Sequence, residues 1–388
     1  MAGTMEDWTH IRPWTQLFRY PHDDAAGVVI TRADYECFLP EAPLSRTAVD
    51  FGFRVMIANA NHSPTDFSNI ARDVHAFPSD WFTMLSAGNE SGKLKADSEA
   101  ALRAYARVER WTRDVDVFAK KYLLVPVFED QHWSLAIVCH PGELAKRVLA
   151  RRRRKIRRAV ADLMDAGITA AAQLAEPHVD SDSDSDFDAA DRPRPCVIHM
   201  DSLRKHRAKK IEKWLRAFLE IEWRKRHANE PPFTCLERSP DGPTADLLVA
   251  MPKVTQQQMY SGDSGLYALR YAQEFLARAV CNGAKLAVDG RDVCLCFRDQ
   301  EFAAWFSRDD IKTMRQTLKF LIRGLKREEE LRRFCARRRL CWIGQRDNGS
   351  ALSRLPTEIL KKLVPYFAVD TVHLFGLEQR PLWGPVGV

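Results

Sequence analysis

Residues 132 to 139 read His132-Trp133-Ser134-Leu135-Ala136-Ile137-Val138-Cys139, a mainly apolar run that begins with a histidine. A second run of the same kind, Tyr122-Leu123-Leu124-Val125-Pro126-Val127-Phe128, precedes it. Short apolar runs of this length with polar boundaries are typical of buried strands. Only Glu129-Asp130-Gln131 lies between the second run and His132. We therefore expect a β-hairpin in which His132 enters the second strand.

A third strand is predicted at Cys196-Val197-Ile198-His199-Met200, after a long stretch without a strand pattern. That stretch contains the basic run Arg151-Arg152-Arg153-Arg154-Lys155 and then an acidic run at 180–186. Because the strands on either side are expected to pair, we interpret residues 140–194, approximately, as an insertion within one domain. The charged runs fit a solvated helix face followed by a disordered tether. They equally fit a nuclear-localisation or polyanion-binding patch beside a phosphorylatable acidic tract.

Helical periodicity dominates the rest of the chain, with apolar residues three or four positions apart. The clearest apolar faces are Ile211-Trp214-Leu215-Phe218-Leu219, Leu266-Leu269-Ala272-Leu276 and Met314-Leu318-Leu321-Ile322-Leu325. A Glu/Arg-rich stretch from Lys326 to Arg339 predicts a linker or an exposed helix before a small C-terminal region. A helix-rich N-terminal part, a few-stranded sheet and further helices together predict an α+β fold with a small central sheet flanked by helices.

The composition is that of a globular protein with a sizeable core. The chain has 388 residues, of which 45% are hydrophobic and 29% charged, with a net charge of +7. No apolar run is long enough to cross a bilayer, so we expect no membrane association. The N-terminus shows no secretory leader, so we expect an intracellular protein. The nine cysteines are scattered, which predicts free thiols. Cys294 and Cys296 form the only close pair, so no metal site is expected.

Three separated islands of polar residues carry the candidate chemistry: His132-Trp133, Met200-Asp201-Ser202 and Gln257-Gln258-Met259-Tyr260-Ser261-Gly262-Asp263-Ser264-Gly265. Each island alone has a structural explanation. A histidine before a strand is more often structural than catalytic, an aspartate after a strand commonly caps a turn, and Asp263-Ser264-Gly265 could simply cap the following helix.

The combination of the three islands favours catalysis. A nucleophile at a helix N-terminus, such as Ser264, lies at the positive end of the helix dipole and close to free backbone N–H groups. A histidine on a neighbouring strand can take its proton, and an aspartate one strand further can fix the imidazole tautomer. A glutamine a few residues upstream of the nucleophile can donate to a developing oxyanion. His132, Asp201 and Gln258 fit these roles in order and in local setting.

The islands resemble the motifs of the Ulp/SENP family of deSUMOylating proteases. His132-Trp133 is similar to that family's His-Trp strand motif, Asp201-Ser202 to its Asp-Ser pair, and Gln257-Gln258 with Asp263-Ser264-Gly265 to its Gln-Gln-…-Asp-Cys-Gly signature. Three flanking segments are also similar: Ile30 to Phe51, Arg110 to Phe118, and Trp305 to Met314 with Arg315. The resemblance covers residues 28 to 326, approximately, because these motifs occur in the same order.

The resemblance implies a papain-like cysteine protease domain at 28–326, with extensions at 1–27 and 327–388. It implies that His132 is the general base, Asp201 its orienting partner, Ser264 the nucleophile position and Gln258 an oxyanion donor. Trp133 would line the channel for the modifier's Gly-Gly tail. The neighbouring residues Gln257, Asp263 and Gly265 are candidate substrate-binding residues. The implied partner is a SUMO-like modifier, and neither a cofactor nor a specific nucleic acid is expected.

Ser264 is the main departure from the family pattern, since the family has cysteine at this position. A thiol ionises far more readily than a hydroxyl, and the site is built for a thiolate–imidazolium pair. Three explanations stay open: a Cys→Ser substitution made to trap a substrate complex, a natural pseudoprotease, and a working serine protease. The alternative functions are accordingly a protease for another ubiquitin-like modifier and a non-catalytic adaptor that binds SUMO.

The C-terminal region carries a weaker motif. Leu355-Pro356-Thr357-Glu358-Ile359 resembles the start of an F-box helix, which would bind a Skp-type adaptor. A proline before a helix with apolar spacing is also a common helix start. The resemblance to the protease family further predicts a location in the nucleus, the cytoplasm or both.

Overall fold

A computed structural model of the chain describes residues 8, 10–61, 70–88, 94–144, 146, 157–162, 195–228, 248–257, 262–281 and 302–346. Its strands, in chain order, are β1 (Gln16–Tyr20), β2 (Val28–Thr31), β3 (Val74–Ala76), β4 (Tyr122–Glu129), β5 (His132–Cys139), β6 (Cys196–Met200) and β7 (Leu248–Ala250). Its helices are α1 (Arg32–Glu36), α2 (Arg46–Asn61), α3 (Ile70–Asp73), α4 (Trp81–Leu85), α5 (Glu99–Val108), α6 (Ala208–Arg226), α7 (Ser264–Cys281) and α8 (Arg308–Arg346). Among the described helices, none combines the length and the apolar character that a membrane span requires.

Several sequence predictions fall outside the described residues. These are Gln258, most of the predicted insertion at 140–194 with both of its charged runs, the pair Cys294 and Cys296, and the F-box-like segment beyond residue 346. They stay predictions.

Residues 60–311 form one compact unit built on a five-stranded sheet of order β3-β4-β5-β6-β7. The three central strands are antiparallel, and β3 and β7 run parallel to their neighbours. The predicted hairpin is confirmed, because Glu129 pairs with His132 around the turn residues Asp130 and Gln131. Both turn residues have positive φ, 47° and 58°, which is the backbone of a type I′ turn. This turn fixes His132 as the first residue of β5.

Helices cover both faces of this sheet. Successive side chains of a strand point to opposite faces. On one face, Leu123 and Val125 of β4 join a buried core with Trp214 and Phe218 of α6. On the other face, the ring of Tyr122 lies 5.1 Å from that of Phe275 on α7. The prediction of an α+β fold with a small central sheet flanked by helices is therefore confirmed.

Residues 1–59 and 312–388 form the other compact unit, which contains the β1–β2 hairpin. Helix α1 begins with a reciprocal capping box between Thr31 and Asp34. Within this unit the buried guanidinium of Arg315 donates to the carbonyls of Cys37, Leu39 and Ala42 at 2.8, 2.8 and 2.9 Å. One arginine thereby satisfies three carbonyls of the turn between α1 and α2.

The Glu/Arg-rich stretch after Lys326 is helical rather than a linker, since α8 continues to Arg346. Pairs four residues apart, such as Arg333 with Glu329, stabilise its exposed surface. The domain boundaries near residues 27 and 326 stay predictions, because compactness in space and the extent of a homologous domain are different properties.

Candidate active site

A buried imidazole–carboxylate pair lies where β5 begins and β6 ends. The Nε2 atom of His132 is 2.7 Å from Oδ1 of Asp201, and both side chains are almost completely excluded from solvent. The pairing of β5 with β6 produces this contact, because His132 opens β5 and Asp201 directly follows β6. With Nε2 committed to Asp201, the neutral ring presents Nδ1 as its free base.

Several hydrogen bonds keep the carboxyl group of Asp201 ionised. Its Oδ1 also accepts from the backbone N–H of Leu203 at 2.9 Å, and its Oδ2 accepts from the backbone N–H of His206 at 2.8 Å. Burial by itself raises the pKa of this carboxyl, but the hydrogen bonds from His132, His206 and Leu203 outweigh burial and hold the pKa well below its ordinary value. Asp201 is therefore a fixed negative charge that orients and can stabilise a protonated His132.

Ser264 is the first residue of α7 and is buried. Its Oγ accepts a hydrogen bond of 3.2 Å from the backbone N–H of Trp133, the residue that follows His132. The contact brings the third sequence island against the first, across 131 positions of the chain. At a helix N-terminus, the partial positive charge and the unpaired N–H groups favour an anion on this side chain or on a bound carbonyl oxygen.

The other predicted site residues occupy varied positions. Trp133 is buried with its ring 4.5 Å from that of Phe128. Asp263 is half-buried and its carbonyl accepts from the N–H of Tyr267 at 3.0 Å, while Gly265 is buried in the first turn of α7. The structure thus brings His132, Asp201, Ser264 and Trp133 together, and Gln258 lies outside the described residues.

Gln257 is buried, and its Oε1 accepts from the hydroxyl of Ser202 at 2.8 Å. Ser202 directly follows Asp201, so the second and third islands are tied to each other as well. This contact gives Gln257 a role in joining the two segments.

Two tyrosines outside the three islands anchor the segment before Gln258. Tyr271 on α7 donates to the carbonyl of Thr255 at 2.6 Å, and Tyr267 donates to the carbonyl of Gln256 at 3.3 Å. Burial raises the pKa of Tyr271 well above its ordinary value, so its hydroxyl stays a donor. Their spacing of four residues on one helix face is the only sequence signal that could have identified them.

A cluster of His199, Asp201 and His206 places three ligand-type atoms within 4.8 Å of one another. The hydroxyl of Ser134, however, lies between the two rings, 2.7 Å from Nδ1 of His206 and 2.9 Å from Nε2 of His199. Asp201 is already committed to His132. This geometry favours a hydrogen-bond network over a metal centre.

The arrangement comprises a side chain at a helix N-terminus, bonded to the residue that follows His132, and a buried carboxylate bonded to that histidine. These are the parts of a hydrolase that works through a covalent acyl intermediate.

Comparisons with known proteins identify which hydrolases share this domain. Residues 53–293 match the Ulp1 protease family, C-terminal catalytic domain. A probable ubiquitin-like-specific protease 2B of Arabidopsis thaliana is 30% identical over 264 residues, 68% of this chain and 23% of that protein. Sentrin-specific protease 7 of Rattus norvegicus is 25% identical over 84% of this chain and 30% of that protein. A solved structure described as the de-sumoylating protease superposes with a TM-score of 0.48 at 16% identity, over 78% of this chain and 89% of that one.

The family match covers more than half of the chain, so the protein belongs to the Ulp1 protease family, whose catalytic domain it carries. The resemblance to Ulp/SENP proteases inferred from the sequence is confirmed. The chain corresponds to between about a quarter and a third of the length of the first curated relatives it matches.

Proposed function

We propose that this domain hydrolyses the peptide or isopeptide bond after the C-terminal Gly-Gly of a SUMO-like modifier. The observation that carries the proposal is the buried 2.7 Å contact between His132 and Asp201, with Ser264, at the start of a helix, bonded to the backbone of the adjacent residue Trp133. Family membership supports a cysteine-protease mechanism. The names of the matched relatives, ubiquitin-like-specific and sentrin-specific proteases, support the substrate class.

The hydrogen bonds of His132 support its role as the base, and the resemblance to the family supports the role of Gln258. With Nε2 bonded to Asp201, Nδ1 of His132 takes the proton of the nucleophile, which attacks the carbonyl carbon of the terminal glycine. Backbone N–H groups at the start of α7 and the amide of Gln258 hold the oxyanion. His132 then gives its proton to the departing amine, and water hydrolyses the acyl-enzyme with His132 again as base. The net reaction consumes one water and releases the modifier and an amine.

Substrate contacts are proposed for the residues around the nucleophile. Trp133 would form one wall of a narrow channel for the Gly-Gly tail, and Asp263 and Gly265 would border the bound carbonyl. Gln257 would contribute by keeping its segment in register through Ser202.

With serine at position 264, we propose that the chain binds its substrate and turns it over slowly. An alcohol is a far weaker acid than a thiol, so proton transfer to His132 before attack is much less favourable. Among the described residues, His132 and Asp201 are paired as a catalytic base and its orienting carboxylate would be, which is consistent with a Cys→Ser substitution that traps the substrate. A working serine protease is the third explanation, and the assay below separates it from the other two.

A second candidate function is a modifier-binding adaptor without catalysis, and the serine at position 264 is the observation that favours it. An adaptor and a trapped enzyme differ in one respect. Restoring cysteine restores turnover only in a chain whose other catalytic groups still work.

The test is a cleavage assay on the chain as it stands and on the variant Ser264→Cys, with the variant His132→Ala in the cysteine background as control. The substrates are SUMO and ubiquitin, each carrying a C-terminal fluorophore. We expect turnover of SUMO by Ser264→Cys alone, with a loss of about 10⁴-fold or more on removing the base. Equal cleavage of ubiquitin would instead assign another modifier. Binding of SUMO without turnover by either form would establish the adaptor.

Two further predictions concern the cell rather than the site: binding of a Skp-type adaptor by the C-terminal region, and residence in the nucleus or cytoplasm. Pull-down with residues 340–388 checks the first, and imaging of the tagged chain checks the second.

A further inference from the structure

A buried hydrogen-bond network of Ser134, His199 and His206 lies behind the His132–Asp201 pair. Residues directly opposite in an antiparallel pair share a face of the sheet, and side chains alternate along each strand. Because Ala136 pairs with His199, the side chains of His132, Ser134 and His199 share one face. Ser134 and His199 are buried there together with His206 from the loop after β6. Burial of polar side chains costs little free energy only where they are hydrogen-bonded.

The donor and acceptor of each hydrogen bond in this network can be assigned. The Nε2 atom of His206 lies 3.1 Å from the carbonyl of Glu129, which only accepts, so Nε2 carries the proton. The Nδ1 atom of a neutral His206 is then bare and accepts from the hydroxyl of Ser134 at 2.7 Å. The oxygen of Ser134 in turn accepts from Nε2 of His199 at 2.9 Å. This leaves Nδ1 of His199 bare, in agreement with its having no partner among the described residues.

His199 and His206 are both neutral at physiological pH. Burial lowers the pKa of His199 to about 4, the attraction of Asp201 opposing that shift. Burial also lowers the pKa of His206, although its contact with the Glu129 carbonyl and the charge of Asp201 act in the opposite sense. The neutral state is the one that the direction of the hydrogen bonds requires.

Within this network, His206 contacts both His132 and Asp201. Its backbone N–H donates to Oδ2 of Asp201 at 2.8 Å, and its ring centre lies 5.1 Å from that of His132 at an angle of 66°. Asp201 thus has the imidazoles of His199 and His206 close by in addition to that of His132, and its charge acts on His132 alone only when the other two carry no charge.

We propose that His206 is a positioning residue of the active site: Ser134 and His199 hold its ring neutral and fixed, so that Asp201 directs its charge to His132 alone. This inference rests on the proposed function, since it assigns to His132 the role of base.

The groups that face His206 decide the sign of its pH dependence. They are the carboxylates of Asp201 and Glu129, the imidazoles of His132 and His199, and Lys210, which pairs with Glu129 at 2.6 Å. The hydroxyl of Ser134 donates to the bare Nδ1 and so favours the neutral ring. Without that hydroxyl, Asp201 favours protonation of His206 at a higher pH. A protonated His206 then competes with His132 for Asp201, and activity falls as the pH falls.

The test uses Ser264→Cys as the parent and adds Ser134→Ala, with kcat and KM for SUMO-fluorophore measured between about pH 5.5 and 8.5, where imidazoles titrate. We expect kcat within about threefold of the parent at the alkaline end, with a further deficit that grows as the pH falls and approaches, without exceeding, about tenfold, as for a pKa rise of about one unit. KM should be unchanged, and Ser134→Thr, which keeps the hydroxyl, should restore the profile. An equal loss of kcat at every pH would overturn the proposal and assign Ser134 to packing.

Thr112→Val is the matched control, since it removes a buried hydroxyl that donates to Glu222 at 3.1 Å. It should lower stability without moving the acid limb.

A readout without substrate separates this proposal from the proposed function. Ring ¹⁵N spectra of the chain as it stands, with His206→Gln to assign the signal, should show His206 neutral with its proton on Nε2. In Ser134→Ala the same signal should titrate at a higher pH. A proton on Nδ1, or a charged ring at neutral pH, would overturn the proposal even if SUMO is cleaved. The expected tautomer without SUMO cleavage would overturn the proposed function and with it the positioning role.

Discussion

The backbone N–H of Trp133 donates to Oγ of Ser264 at 3.2 Å, so the residue after His132, the proposed base, is bonded to the side chain at the proposed nucleophile position. The bond joins the first residues of β5 to the first residue of α7. It fixes Ser264 relative to the start of the central strand, which begins with His132, and it offers a donor to a thiolate as well as to a hydroxyl.

A thiol placed at position 264 should be unusually acidic. Ser264→Cys puts the thiol at a helix N-terminus and within reach of the Trp133 N–H, with His132 as the proposed base, and each of these favours the thiolate. We expect alkylation by iodoacetamide at about pH 6, where an ordinary thiol is almost entirely protonated. Peptide mass spectrometry, which locates the modified residue, is the measurement.

Cys37 provides an internal reference, because it is a free, half-buried cysteine outside the site. It should react at about pH 6 much more slowly than the introduced thiol. His132→Ala in the same background should slow alkylation of the introduced thiol. Equal rates at the two positions would show that the site does not activate a nucleophile.

Replacing Asp201 with asparagine should remove most activity. In the Ser264→Cys background, Asp201→Asn leaves the size of the side chain unchanged but removes the charge that fixes the proton on Nε2 of His132. We expect kcat to fall by about 10³–10⁴-fold, as for the loss of the orienting carboxylate in a catalytic triad. Steady-state kinetics with SUMO-fluorophore measures it.

Glu222→Gln is the matched control for Asp201→Asn. Glu222 is a buried carboxylate that accepts from Tyr105 and Thr112, apart from the three islands. Its replacement should lower stability and leave kcat unchanged. A comparable loss of kcat in both variants would mean that Asp201 acts through folding alone.

Asp201 should also make stability depend on pH. Because its folded-state pKa lies below the ordinary value of about 4, its contribution is fully present above that value and is lost as the pH falls towards the folded pKa. We expect Asp201→Asn to lower the free energy of unfolding by about 2 kcal/mol at neutral pH and by less near pH 3. Urea denaturation at the two pH values measures it, and an equal loss at both would contradict the assignment.

Much of the site followed from local sequence. Two apolar runs around a short polar link predict the hairpin of β4 and β5. A further apolar run predicts β6, and apolar residues at helical spacing predict α7. The contact of His132 with Asp201 spans 69 positions, and it was anticipated because each motif has a distinctive order of residue types.

The elements that were missed depend on partners distant in the chain. Strands β3 and β7 have three residues each, too few to show a period, and they are defined by parallel pairing with β4 and β6. His206 was missed because its side-chain partners Ser134 and Glu129 lie 72 and 77 positions away. The alternation that places Ser134 on the same face as His132 was a usable signal, but only the strand register connects it to β6.

Tyr271→Phe should lower kcat by loosening the segment that leads to Gln258. The hydroxyl of Tyr271 donates to the carbonyl of Thr255 at 2.6 Å, and its raised pKa keeps it a donor over the whole working pH range. Its loss costs about 1 kcal/mol of stability and frees the backbone three residues before the proposed oxyanion donor. In the Ser264→Cys background we expect kcat to fall about tenfold, below the full cost of losing an oxyanion donor, with KM nearly unchanged.

Tyr105→Phe is the matched control, because its hydroxyl donates to Glu222 at the same 2.6 Å in the same unit of the chain. If both variants lose similar stability and only Tyr271→Phe loses kcat, the segment at 255–257 positions the oxyanion donor; equal kcat losses would reduce the effect to general destabilisation.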